Sequence, residues 1–300
     1  MTQTALMGDP AHFSVVGGAN PHTRDRYGRR KTVDRSKAIL QWERLRDLLR
    51  DHGLRVEVVP PDPALPGLVY PANAGFRLQR GFVLSNLTPT RAGEQPIYRR
   101  VLEGLGVECH TIEHRFEGEA DLFPAGDHYL FTHGRIRRQR FVPRAGWPPW
   151  KRIYGFRSDP AALDDIRALE PLGRPVLRTE LVDERYYHGD TCLCSFGPDR
   201  AALLVYEPAI EPASLAHLRA TFSDRLIPIG DDDAAIYAAN SFAFEHNDQP
   251  FLVMPSGISP RLADQVASHG VTILQADVSE FHKKGGGSVK CMIGDLGEIG

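Results

Sequence analysis

A succession of strand, strand, helix and strand returns along this chain at intervals of roughly fifty to sixty residues, and that repetition restricts the fold more than any single motif. The clearest helix is expected over 35–52, where Asp34 is placed to cap it and Ile39, Trp42, Leu45, Leu48 and Leu49 recur at helical spacing. Gly53 closes it, and 54–59 is rich in strand formers. The same order returns as a strand over 81–85, a helix over 97–105 ending at Gly106, and a strand over 107–112. Later stretches repeat it: strands over 129–132, 176–181, 191–196 and 201–206, with a helix over 160–170. A helix over 214–220, strands over 226–229, 241–244 and 251–254, a helix over 261–269 and a strand over 271–275 follow, and the chain ends in a loop. Near the start, 12–18 reads as a short strand running into the loop Gly17-Gly18-Ala19-Asn20-Pro21. Three hundred residues would allow two domains, but a repeated unit argues for one α/β toroidal or propeller-like domain over 1–300. In such a ring each unit sends a loop to a common centre. Polar residues far apart in sequence are therefore expected to meet at one site.

Composition removes several function classes. The net charge is -2 and neither half is strongly basic, so nucleic acid is not an expected partner. One basic stretch, Arg135, Arg137, Arg138, Arg140, Arg144, Lys151 and Arg152, is interleaved with Trp147, Pro148, Pro149 and Trp150. It would suit an acidic partner, but reads more simply as a solvated inserted loop. Residues 1–10 lack the basic start and apolar run of a signal peptide, and no apolar stretch is long enough to span a bilayer. Four cysteines, Cys109, Cys192, Cys194 and Cys291, are too few for a disulfide framework, so reduced thiols in the cytoplasm are expected. Cys192 and Cys194 share the spacing of one strand face, and no second pair offers zinc a site.

The residues with chemical potential are scattered. Cys291 follows Gly285-Gly286-Gly287, a backbone open to unusual angles and close approach, and Lys283 and Lys284 precede it as candidate stabilisers of a thiolate. Alone, such a cysteine fits a small buried apolar residue equally well. His188, two residues before Asp190, would make a Cys/His pair for attack on an electrophilic carbon. Glu117, Glu119 and Asp121 place three carboxylates in one short stretch, which suits a cation, a guanidinium or plain solvent.

Taken together, six stretches resemble in order and spacing the guanidino-group modifying enzymes, the amidinotransferase or pentein superfamily. They are Pro71-Ala72-Asn73-Ala74-Gly75, Phe116-Glu117-Gly118 with Asp121, Gly155-Phe156-Arg157-Ser158, Asp183-Glu184-Arg185 with Tyr187, His188, Asp190, Thr191 and Cys192, Ala239-Asn240, and Gly285-Gly286-Gly287 with Lys290 and Cys291. The likeness runs from about Asn20 to Met292 and is nearest to the arginine dihydrolase and dimethylarginine dimethylaminohydrolase branches. It implies a five-bladed ββαβ propeller with one central pocket. By the same likeness Cys291 is the nucleophile, forming a covalent S-alkylisothiouronium, and His188 protonates the departing amine and then activates water. Glu117 and Asp190 would hold the guanidinium nitrogens, Asn73 and Asn20 would add neutral contacts, and Arg157 would meet a substrate carboxylate. Asp121 and Asn240 match positions near the pocket with a structural role. No metal or cofactor is implied.

Three departures stand out. Gly189 replaces a usual leucine, which would loosen packing; Asn86 stands where relatives carry a carboxylate-gripping arginine; and 134–152 looks inserted, as a lid or a new substrate wall. The expected activity is hydrolysis of a guanidino compound, arginine or a derivative, with release of ammonia. An amidinotransferase and a non-catalytic guanidine-binding homologue are the alternatives. A small-molecule substrate, no nucleic acid and no membrane are expected, and a homo-oligomer is left open.

Overall fold

The computed structural model describes residues 2–15, 20–25, 27, 29–135, 140–147 and 149–299. Among them are five three-stranded sheets with one shared connection pattern and a separate two-stranded hairpin. In each three-stranded sheet the central strand pairs antiparallel with one neighbour and parallel with the other. A parallel pairing requires a crossover, and in all five a helix supplies it.

The first sheet sets Gln3–Gly8 between Gly294–Glu298, antiparallel, and Arg55–Val59, parallel, with the helix Arg35–Asp51 as the crossover. The second joins Gly75–Arg77, Phe82–Leu84 and Cys109–His110 through Gln95–Gly104. The third joins Leu122–Ala125, His128–His133 and Val176–Glu180 through Ala162–Leu169. The fourth joins Leu193–Phe196, Ala202–Val205 and Leu226–Pro228 through Pro212–Phe222, and the fifth Phe242–His246, Gln249–Pro255 and Thr272–Ala276 through Pro260–Ala267. The expected repeat is thus present as five mixed α/β units. Each packs its helix on its own central strand: Trp42, Leu45 and Leu49 with Met7, Tyr98 and Leu102 with Leu84, Leu163 and Ile166 with Phe131, Leu218 and Phe222 with Leu204, Leu262 and Val266 with Leu252.

The first helix begins as expected, with the Asp34 carboxylate accepting from Lys37 N at 3.1 Å, although Ile39 turns out to solvent at 37% exposure. The two chain ends differ from expectation. Pro10–His12 is a turn capped by Asp9, so no strand begins at His12, and 16–18 lies outside the described residues. The strand is instead Gln3–Gly8, whose consecutive buried Ala5, Leu6 and Met7 show no alternation because both faces are covered. The terminal stretch is not a loop throughout: Ser279–Gly285 is helical and Gly294–Glu298 is a strand. The sequence Gly-Asp-Leu-Gly-Glu has poor strand propensity, and only pairing with Gln3–Gly8 makes it one. The N- and C-terminal ends therefore complete one sheet. Within the segment read as an insertion, Arg140–Pro143 and Trp150–Ile153 form an antiparallel hairpin, while 136–139 and 148 lie outside the described residues.

Candidate active site

Each sheet's antiparallel outer strand is entered from a short turn, and those five turns carry the predicted site residues other than Asn20 and Arg157. Asn73 ends Pro71–Asn73 before Gly75–Arg77, Glu117 and Asp121 flank Gly118–Ala120 before Leu122–Ala125, and His188 precedes Gly189–Thr191, which holds Asp190, before Leu193–Phe196. Asn240 precedes Phe242–His246, and Cys291 sits in Lys290–Met292 before Gly294–Glu298. Five copies of one structural pattern therefore gather residues as far apart in sequence as Asn73 and Cys291.

Asn240 builds the surroundings of the sulfur. Its amide nitrogen donates to Cys291 Sγ at 3.2 Å and to the Asp190 carbonyl at 3.0 Å, while its Oδ1 accepts from the backbone N–H groups of Ser288 and Cys291 at 3.0 and 3.2 Å. The Cys291 thiol donates to Asp190 Oδ2 at 3.4 Å. Burial, and then the neighbouring Asp190 charge, push that thiol well above its ordinary pKa. Burial likewise lifts Asp190 to about 6. Its Oδ1 is enclosed and has no hydrogen-bond partner among the described residues.

His188 Nε2 meets Glu117 Oε2 at 2.8 Å, and His188 Nδ1 is buried without a partner among the described residues. Burial opposes ionisation of Glu117, but the His188 hydrogen bond and charge, with Arg157 and Arg91 behind them, hold its carboxyl well below the usual range. Asp121 supports both sides of this pair. Its carboxylate accepts from Thr132 and Ser158 hydroxyls at 2.6 Å each and from Gly189 N at 3.0 Å, while Ser158 Oγ accepts from Glu117 N at 3.1 Å.

A cavity of about 360 Å³ opens onto this arrangement, and Asn20, Asn73, Glu117, Arg157, His188 and Cys291 all line it. Asp190 reaches it through the sulfur, whereas Asp121 and Asn240 stand behind the wall. Asn20 caps the turn Pro21–Thr23 and donates to the Tyr187 hydroxyl and the Gly285 carbonyl. Asn73 donates to the Glu117 carbonyl at 3.2 Å and accepts from Arg91 at 2.8 Å. The glycines are explained by space: a Cβ on Gly285 would lie 1.9 Å from the Tyr70 hydroxyl, and one on Gly287 would crowd the Tyr70 ring and Cys291, while Gly286 ends its helix at φ 84°.

Several expectations change here. The three carboxylates of 117–121 diverge, to His188, to Lys290 and to Ser158 with Thr132, and among the described residues no His, Cys, Asp or Glu cluster is arranged for a metal. Lys284 is directed away from the thiol, donating to the Thr32 carbonyl, and neither it nor Lys283 lines the cavity. Asn86 is absent from the lining, donating instead to the Glu113 carbonyl at 2.6 Å, and the cavity arginine not foreseen is Arg91. Arg91 is held by Glu94 at 2.6 Å and lies 4.0 Å from Glu117; its spacing of three from Glu94 was the sequence signal available. Gly189 does not loosen packing, because Thr132 occupies the space its side chain would take, within 2.4 Å of a built Cβ. No described residue of 134–152 lines the cavity, so the described part of this segment forms no wall of it.

With the geometry in place, comparison with known proteins is specific. A family model described as N,N dimethylarginine dimethylhydrolase, eukaryotic, matches residues 155–297. The chain is 33% identical to the N(G),N(G)-dimethylarginine dimethylaminohydrolase of Mycobacterium tuberculosis, over 97% of this chain and 84% of that one. It is 32% identical to the bifunctional arginine dihydrolase/ornithine cyclodeaminase AgrE of a Nostoc species, over 96% of its own length but only 37% of that longer protein. The crystal structure of the N-terminal domain of ArgZ, a cyanobacterial arginine dihydrolase, with substrate bound superposes with a TM-score of 0.82 at 26% identity, covering 99% of this chain and 98% of that domain.

Proposed function

This chain belongs to the guanidino-modifying superfamily that includes the dimethylarginine dimethylaminohydrolases and arginine dihydrolases, and from that premise we propose that it hydrolyses arginine or an N-methylated arginine at the guanidine carbon. The observation that carries this reading is one cavity lined by the Cys291 sulfur, Glu117 and His188, whose Nδ1 is buried without a partner among the described residues, with the Asp190 carboxylate against the sulfur. A flat cation with N–H groups on its edge suits those carboxylates and presents its carbon to the sulfur.

The Cys291 thiol gives up its proton to solvent as the cation seats, because a positive charge against the sulfur reverses the effect of burial and of Asp190. The thiolate forms a bond to the guanidinium carbon, and the displaced π pair moves onto nitrogen, giving a tetrahedral adduct. His188, held by Glu117, protonates the departing nitrogen, the C–N bond breaks, and ammonia or an alkylamine leaves a covalent S-alkylisothiouronium. A water then loses its proton to His188 and attacks the same carbon. The hydroxyl proton of that adduct passes to solvent as the C–S bond breaks, the thiolate is restored and a ureido product leaves. Arg91 and Arg157 supply positive charge at the cavity for the substrate carboxylate, and Asn73 and Asn20 add neutral contacts. In the same reading the five sheets are blades of a single five-bladed ring over 1–300, working on a small guanidine in the cytoplasm.

The test is ammonia and amine release from the pure protein across arginine, methylated arginines, agmatine and guanidino acids, with intact mass to detect the adduct. Turnover by wild type, lost in Cys291→Ala, is the expected result. Silence toward the whole panel, or turnover only when an amine acceptor is added, would overturn hydrolysis.

A further inference from the structure

Two carboxylates on one turn face opposite ways: Glu117 into the substrate cavity, Glu119 into a separate cavity of about 160 Å³ that it shares with Lys290, Asp295 and Arg200. Lys290 immediately precedes Cys291, and its ammonium donates to Glu119 Oε2 and, at 3.1 Å, to the Ile293 carbonyl. The backbone N–H of Asp295 donates to both Glu119 oxygens at 3.2 and 3.1 Å. The Lys290 backbone N–H donates to the Asn240 carbonyl at 3.1 Å, and its ammonium lies 5.3 Å from the centre of the Phe242 ring. The pair therefore joins the Glu117 turn, the Cys291 turn and the Asn240 turn from behind. Neither side chain lines the substrate cavity.

Resting on the hydrolase reading above, we propose that Glu119 and Lys290 are positioning residues: their buried ion pair sets the Cys291 turn against the Glu117–His188 pair. A buried ion pair contributes little net stability over a well-packed apolar pair, yet it is intolerant of losing one member and specific in geometry. That combination suits a staple between two catalytic turns. Burial pushes Glu119 up to about 7 against the opposing pull of Lys290, so the carboxylate depends on the lysine for its charge. A displacement of the sulfur by about 1 Å relative to the acid–base pair is enough to cost two orders of magnitude in rate.

The experiment compares E119Q, E119D, K290M and E119Q/K290M with wild type, measuring kcat and KM for ammonia release. Rates are divided by the folded fraction, read from the amplitude of the cooperative thermal unfolding transition, which removes losses from misfolding. Each variant is expected to lose about tenfold or more in kcat with KM within about threefold, and the double variant to recover melting temperature relative to K290M without recovering kcat. E119D keeps the charge and withdraws it by one methylene, and carries the test if K290M fails to fold. Variants with kcat within about twofold of an active wild type would overturn this proposal alone. An inactive wild type would remove the hydrolase reading and this proposal with it.

Discussion

The cavity at Cys291 and the hairpin Arg140–Pro143 with Trp150–Ile153 are both dense in charge and aromatic rings, yet they solve the problem of those side chains differently. At the cavity, Cys291, His188, Glu117 and Asp190 are each at most 3% exposed, and each is held by at least one side-chain partner of fixed geometry. In the hairpin Trp147 is 87% exposed, and Arg152 lies over the rings of Phe141 and Tyr154. Burial is the difference. A desolvated charge must find a partner of fixed geometry, whereas a solvated one need not. The sequence singled out the first by its motifs and the second by its charge density, and only enclosure turned one of them into a site.

If that contrast is right, substitutions should grade steeply from one region to the other. The largest effect is expected for Cys291→Ala, about 10⁴-fold or more in ammonia release with melting temperature little changed. A residual rate near wild type would break the comparison outright. Asp190→Asn should lower kcat/KM by about 10²–10³-fold. In wild type KM should rise as pH falls through about 6, where the raised Asp190 carboxyl takes up a proton and loses its hold on a guanidinium, and that limb should vanish in the variant. A low-pH limb unchanged in Asp190→Asn would assign it elsewhere. Asp121→Asn replaces an acceptor of three hydrogen bonds by a group that must turn an N–H toward one donor, and should cost about 2–4 kcal/mol of stability by chemical denaturation. Trp147→Ser should be smallest, within about 0.5 kcal/mol and without effect on KM, since no described residue of the hairpin lines the cavity. A shift in KM there would place the hairpin at the substrate after all.

Much of the fold was legible because helix signals are local. Asp34 before Arg35–Asp51 and the apolar spacing of Trp42, Leu45 and Leu49 announce a helix without reference to anything distant. The antiparallel outer strands were read least well. Gly75–Arg77, Leu122–Ala125 with its proline, and Gly294–Glu298 are short or carry residues that disfavour strands, and each exists because a partner strand is waiting. The site followed the same division: Cys291, His188, Glu117, Asp190 and Asn73 stood out as residue types in motifs, while Arg91 did not, since an arginine near a glutamate reads as surface charge until burial is known.

Composition, periodicity and motif order by themselves determined a repeated α/β chain with a sulfur, an imidazole and carboxylates as its reactive groups. Which carboxylate met the imidazole, which met a lysine and which only braced the turns was decided by tertiary structure. The three lie within five residues of one another and are chemically alike; direction and desolvation alone distinguish them, and neither is a property of local sequence.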